Sequence, residues 1–139
     1  MSVWGFVLCF FLASANDLTK DLIKAIMTGD DPMIEATLAK GVDVNAKTGK
    51  GVTPLMLAAL QGNHKVVKSL LSKGALVDEQ DASGLTALMA AARLGHLDIV
   101  KTLVASKADA KLKSQSGKTA LDLARDSGKS DVEGFLNGI

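Results

Sequence analysis

Apolar positions recur along the chain with two nested periods. Over short stretches the spacing is helical: Val66-Val67-Lys68-Ser69-Leu70-Leu71 puts its apolar residues on one side of a helix. Over longer distances the same positions return every 33 residues. Leu22, Leu55, Leu88 and Leu121 share that lag, as do Ala25, Ala58, Ala91 and Ala124. Gly51, Gly84 and Gly117 follow it, and so do Thr53, Thr86 and Thr119. Gly29, Gly62, Gly95 and Gly128 form a further complete series. So many series at one lag define a repeat array over residues 16–139.

Each period carries the punctuation of two short helices. Thr53 before Pro54 predicts an N-cap followed by a proline at the first helical position, where its missing N–H costs nothing. Asp31-Pro32 predicts the same arrangement for another helix. Gly62 and Gly95 predict first-helix ends in the left-handed conformation. The pairs Ala58-Ala59 and Ala91-Ala92 are small enough for the first helices to pack closely. Gly-, Asp- and Asn-rich connectors, such as Val77 to Gly84, predict projecting turns. Lys107 falls where the lag places Gly41 and Gly74, so a lysine is expected in a left-handed conformation there.

The text within each period names a family. Gly51-Val-Thr-Pro-Leu-Met-Leu-Ala-Ala-Leu-Gln-Gly62 and Gly84-Leu-Thr-Ala-Leu-Met-Ala-Ala-Ala-Arg-Leu-Gly95 resemble the ankyrin pattern G-x-T-P-L-H-x-A-A-x-x-G. Gly117-Lys-Thr-Ala-Leu-Asp-Leu-Ala-Arg125 is similar to a closing ankyrin repeat. Gly41-Val-Asp-Val-Asn45 and Gly74-Ala-Leu-Val-Asp78 resemble the family's G-A-D-V-N linker. The resemblance implies an all-α solenoid of four helix-turn-helix repeats with short β-turn or hairpin connectors. The repeats would run over about 16–47, 48–80, 81–113 and 114–139.

Where the family pattern has His, this chain has Met56, Met89 and Asp122. Thr119 and Asp122 can form a variant capping box. The two methionines fill space, or alternatively form a strip open to oxidation in an exported protein. Terminal repeats need polar outer sides. Lys24 and Thr37 break apolar columns in the first repeat, and Glu133 and Asn137 break others in the last. Both ends are therefore expected to be closed, as in a complete small protein.

The first fifteen residues read differently. Aromatic content is 4%, yet Trp4, Phe6, Phe10 and Phe11 all lie here, as does the single Cys9. Val3 to Leu12 is apolar and no charged side chain precedes Asp17. The run is shorter than the ~20 residues that span a bilayer, and matches a signal-peptide core of about 7–15 residues. Ala13-Ser14-Ala15 then offers an A-x-A cleavage site. A positive start would rest on the α-amino group, since no Lys or Arg follows Met1, and Leu8 before Cys9 argues against lipid attachment. A buried amino-terminal helix and a short uncleaved anchor are the alternatives. Residues 1–15 are thus expected to be a cleaved signal peptide, and the product periplasmic or secreted. Residues 16–139 contain no Cys, which suits an oxidising compartment and leaves no membrane segment.

Candidate chemistry is sparse. Lys plus Arg is 16 against 15 Asp plus Glu, a net charge of +1, and no aromatic stacking platform exists, so nucleic acid is not an expected partner. His64 and His96 lack the further ligands a metal site needs, and no His-based triad stands at motif spacing. His96, in the family's G-H step, is expected to make a local hydrogen bond. Gly49-Lys-Gly51-Val-Thr53 lacks the full phosphate-loop pattern and reads as a turn. No catalytic, cofactor-binding or metal-binding residue is assigned, and an enzyme is the remote alternative.

The resemblance implies protein binding through the turn tips and the concave face of the inner helices. On the first turn and helix those positions are Lys47, Lys50, Val52, Leu60 and Gln61. The next repeat contributes Gln80, Ser83, Leu85, Arg93 and Leu94, and the last Lys113, Gln115, Lys118 and Arg125. Six of these fourteen are Lys or Arg and none is acidic, so the face is expected to be basic and its partner acidic or mixed. Leu60, Leu85 and Leu94 are expected to face solvent, giving an apolar strip with a charged rim. The chain is expected to act as a monomer. An accessory protein guarding an exported enzyme and a host-directed effector are alternatives within the same binding class.

The export reading has a direct check. Mass spectrometry of the protein purified from its native host should find a chain beginning at Asn16; an intact Met1 on cytoplasmic protein would end the reading.

Overall fold

An apolar stripe on a helix of eight or nine residues cannot be buried by that helix alone, so short amphipathic helices must stack. The computed structural model describes residues 17–139. The expected export segment, residues 1–15, lies outside the described residues. Eight helices are found among the described residues: α1 (17–28), α2 (Asp31–Ala39), α3 (Pro54–Gln61), α4 (His64–Ser72), α5 (Ala87–Leu94), α6 (Leu97–Ala105), α7 (Ala120–Asp126) and α8 (Ser130–Asn137). No strand occurs among the described residues. Helices α3, α5 and α7 pack on one another as an inner row, and α2, α4, α6 and α8 form an outer row behind them. The chain is an all-α solenoid of helix pairs.

The inner row depends on alanine. Ala58, Ala59, Ala91, Ala92 and Ala124 are fully buried between α3, α5 and α7. Leu22, Leu55 and Leu88, one 33-residue lag apart, fill the core beside them. Val66 and Val67 on α4, and Ile99 and Val100 on α6, close it from the outer row. Met56 and Met89 are buried in the same core, so they fill space and form no exposed oxidation-sensitive strip.

Caps set the helix starts. Thr53, Thr86 and Thr119 accept the backbone N–H groups of Met56, Met89 and Asp122 at 3.2, 3.2 and 3.3 Å. Asp122 returns the bond by accepting from the Thr119 N–H at 3.0 Å, which completes the capping box. At α2 the expectation was one residue out. The cap is Asp30, which accepts the Met33 N–H at 3.1 Å, and Pro32 sits inside the first turn. Asp30 aligns with Asn63, which caps α4 the same way, so the repeat register prevails over the local Asp-Pro signal.

Of the polar column-breakers, Lys24 and Asn137 are exposed and Glu133 is half-buried. Thr37 differs: it is buried, and its hydroxyl donates to the Met33 carbonyl at 2.7 Å. A threonine can satisfy its hydroxyl within its own helix, so it need not face water.

The connectors are turns stacked edge to edge. Each is closed by one bond across its base, Thr48 N–H to Val52 O at 3.0 Å, Asp81 N–H to Leu85 O at 3.0 Å and Ser114 N–H to Lys118 O at 2.9 Å. Neighbouring turns are joined by Ala82 N–H to Lys50 O at 3.0 Å and Gln115 N–H to Ser83 O at 2.9 Å. The pattern needs Gly84: its φ is +75°, and an added Cβ would stand 2.9 Å from the Gln115 nitrogen. Asn45 joins repeats below the turns, accepting the Leu76 N–H at 2.8 Å and donating to Gly74 O at 3.1 Å.

Lys107 has φ 72°, the one positive φ outside glycine among the described residues. It ends α6 as Gly41 and Gly74 end α2 and α4, with its N–H donating to Val104 O at 3.0 Å. A left-handed residue with a Cβ costs about 1–2 kcal/mol, of which the unfolded-state freedom of glycine offsets part. Lys107→Gly should therefore raise stability by up to about 1 kcal/mol. Gly84→Ala, strained by both conformation and contact, should lower it by more than about 1 kcal/mol. Chemical denaturation of both variants beside the parent measures the two effects, which must have opposite signs.

Candidate protein-binding face

The side of the inner helices turned away from the outer row is where side chains reach solvent. On α3 it carries half-buried Leu57, then Leu60 and Gln61; on α5 it carries Arg93 and Leu94. Leu60 and Leu94 are 37% and 40% exposed, whereas Leu55 and Leu88 on the same helices are buried. On α1 the same side carries Lys24 and Met27, and Met27 is 61% exposed. Met27 and Lys24 were absent from the expected site. The 33-residue lag from Leu60 and Leu57 was the signal that leads to them.

The expected apolar strip loses one member. Leu85 does not face solvent: it is half-buried and packs on the core, as does Val52 at the corresponding turn position. Both follow directly on a turn glycine and precede the capping threonine, so their side chains are drawn under the turn. Met27 takes the place of Leu85 as third member of the strip, at the other end of the array.

The expected basic excess is also smaller than the residue count implies. Lys47 pairs with Glu79, and Lys118 pairs with Asp126. Arg125 donates from Nε to Glu133 at 2.9 Å, with Asp122 4.0 Å from its Nη1. The hydrogen bond and charge of Asp126 raise the Lys118 pKa, and those of Glu133 raise that of Arg125. Lys50, Arg93 and Lys113 are exposed and carry no ion pair among the described residues. The free positive charge of the expected site therefore lies at these three and not at the ion-paired Lys47, Lys118 and Arg125.

The three glutamines of the expected site hold repeats together. Gln61 Nε2 donates to Met27 O at 3.0 Å, reaching from α3 to α1. Gln80 Nε2 donates to Gly84 O at 2.8 Å and to Lys113 O at 3.1 Å. Gln115 Nε2 donates to Ala82 O at 2.7 Å. Ser83 is exposed at the tip of its turn, and its carbonyl accepts the Gln115 N–H. These contacts fix the spacing of the tips from which Lys50 and Ser83 project.

Elsewhere the polar groups are structural. His64 Nε2 lies 2.6 Å from Thr102 Oγ1, a contact between successive outer helices. His96 starts α6 without a side-chain cap, and its ring lies against Gly62 in the preceding repeat, so the expected local hydrogen bond is replaced by packing. Thr53, in the glycine-rich turn sequence, is buried as the α3 cap. Among the described residues no group of three or more His, Cys, Asp or Glu could hold a metal ion. No helix among them is long and apolar enough to cross a membrane.

A family model for ankyrin repeats (3 copies) matches residues 22–114 and, overlapping, residues 83–137. No curated protein matches the chain.

The capping box on α7 has a pH consequence. Hydrogen bonds from Thr119 hold the Asp122 carboxyl below its usual range, with Arg125 and Lys113 adding to the effect. A lowered folded-state pKa contributes stability above the unfolded aspartate value, and that contribution is lost as pH falls through the folded value. Asp122→Asn should thus lower the denaturation midpoint at neutral pH. The gap to the parent should close below about pH 4, where the unfolded aspartate itself protonates. Midpoints measured across that window check it.

Proposed function

Because the chain belongs to the ankyrin-repeat family, whose repeats generally serve as protein–protein interaction modules, we propose that it is an exported, non-enzymatic module that binds a protein partner. The face it uses is the open side of the inner helices together with the turn tips, and it acts as a monomer. The observation that carries this reading is the solvent exposure of Met27, Leu60 and Leu94 on helices whose other large apolar residues are buried or half-buried. Apolar groups at the centre with polar groups at the rim are what an interface requires. Lys50 and Arg93, free of ion pairs, supply the charged rim and favour a partner with an acidic surface. Protection of another exported protein, or action on a host target, would use the same face.

Affinity capture from the native compartment, with the chain from Asn16 onward as bait, tests the reading when run beside a Leu60→Asp, Leu94→Asp bait. The partner should be recovered by the parent and lost by the variant. Recovery by both would place binding elsewhere.

The rim has its own test. Exposed charge pairs weaken as the Debye length falls from about 10 Å at 0.1 M salt to about 3 Å at 1 M. Lys50→Glu with Arg93→Glu should slow association with the captured partner and flatten its salt dependence. Lys68→Glu, on the exposed side of α4, should leave both unchanged.

A further inference from the structure

The order of side chains along the inner-helix face is more specific than its composition. One column, read from α1 to α7 at the 33-residue lag, is Met27, Leu60, Arg93 and Asp126. The first two are exposed apolar groups, the third is an unpaired cation, and the fourth is closed by Lys118. The column is therefore directional: apolar at α1 and α3, cationic at α5 and self-neutralised at α7, with Lys24 exposed beside Met27 on α1. Leu94, beside Arg93, extends the apolar part into a second column.

We infer that this face receives an acidic amphipathic α-helix of the partner, laid along the repeats with apolar side chains on Met27 and Leu60 and a carboxylate on Arg93. The inference rests on the protein-binding reading above and adds the conformation, charge and direction of the bound segment.

Spacing selects the helix. Packed helices stand about 8–10 Å apart, so groups that touch successive inner helices must recur at that distance. Seven residues of an α-helix advance about 10 Å, and return within about 20° of the same side. A β-strand covers the distance in three residues, and residues three apart point to opposite sides. A polyproline II segment keeps one side at about 9 Å per three residues, but in single file. The strip here is two columns wide, which suits the broad apolar stripe of an amphipathic helix. Charge selects the sign. A cationic segment laid along the column would meet Arg93, which carries no ion pair among the described residues, whereas an acidic one pairs with it.

The test is selection of helix-forming peptides of about 20 residues from a random display library against the full chain. Enriched peptides should carry apolar residues at i and i+7 and Asp or Glu near i+14. A synthetic copy should bind at least about tenfold more weakly to Arg93→Glu and to Leu60→Asp, and within about twofold of the parent to Lys68→Glu, on the exposed side of α4. Exchanging the peptide's i+14 carboxylate for Lys should restore affinity for Arg93→Glu. Thermal unfolding of each variant, all at exposed positions, confirms that it folds. Enrichment of basic or proline-triplet peptides, no enrichment, or equal sensitivity to Lys68→Glu and Arg93→Glu overturns the inference. Peptides without carboxylates that still depend on Leu60 overturn it while leaving the protein-binding face standing. Peptides indifferent to both Leu60→Asp and Arg93→Glu remove the face itself.

Discussion

Close approach of the inner helices is the constraint from which the remaining features follow. Ala58, Ala59, Ala91 and Ala92 have no accessible surface, and nothing larger than a methyl group stands between α3 and α5 at those points. That approach brings successive turns within hydrogen-bonding distance, so that Lys50 O receives Ala82 N–H and Ser83 O receives Gln115 N–H. It also lets Gln61 reach back to Met27 O on the preceding inner helix. A core of interior density has no slack to absorb an added methylene. Enlarging these alanines would therefore part the helices, and the tips and the apolar strip would lose their common spacing together.

The repeat lag made the fold legible because each column of the array has one environment. Leu22, Leu55 and Leu88 are all buried, so reading one reads all three, and only Leu121 in the terminal pair departs, being half-buried. The threonine caps and the left-handed lysine were legible for the same reason. Contacts made only once were not. Lys47 with Glu79, Lys118 with Asp126 and Arg125 with Glu133 each join positions whose counterparts one lag away offer no matching pair of charges. Long side chains choose such partners by reach, which no periodicity encodes. Leu85 misled in another way, since its column mixes Val52 and Lys118, and only the packing beneath the turn decides which way a leucine goes.

These single pairings change what the face can do. A count of cations gives a uniformly basic surface, whereas the pairings leave charge free at Lys50, Arg93 and Lys113 and cancel it over α7. Exposed ion pairs contribute little to stability, typically about 0–1 kcal/mol each. Their larger effect here is on specificity, since a carboxylate brought near Lys118 must compete with Asp126 for it. A partner gains most where the cation has no competitor. That is at α5.

Local support for the helices changes along the array in the same direction. Asp30 and Asn63 cap α2 and α4 with their side chains, but His96 and Lys129, at the equivalent positions, make no side-chain cap for α6 and α8. The glycines that end α2 and α4 give way to the strained Lys107 at the end of α6. The last helix pair answers with the Thr119–Asp122 capping box and the Arg125–Glu133 pair, both within its own residues. In a solenoid each repeat is stabilised only by its neighbours. The last pair is bounded by a strained junction, yet α7 packs extensively on α5 and Gln115 is bonded to Ala82 O and Ser83 O, so opening of this pair would uncover α5 and release the tip of the preceding turn. Fraying of the last pair and the affinity of the face are therefore coupled, through the packing of α7 on α5 and through the bond from Gln115 N–H to Ser83 O.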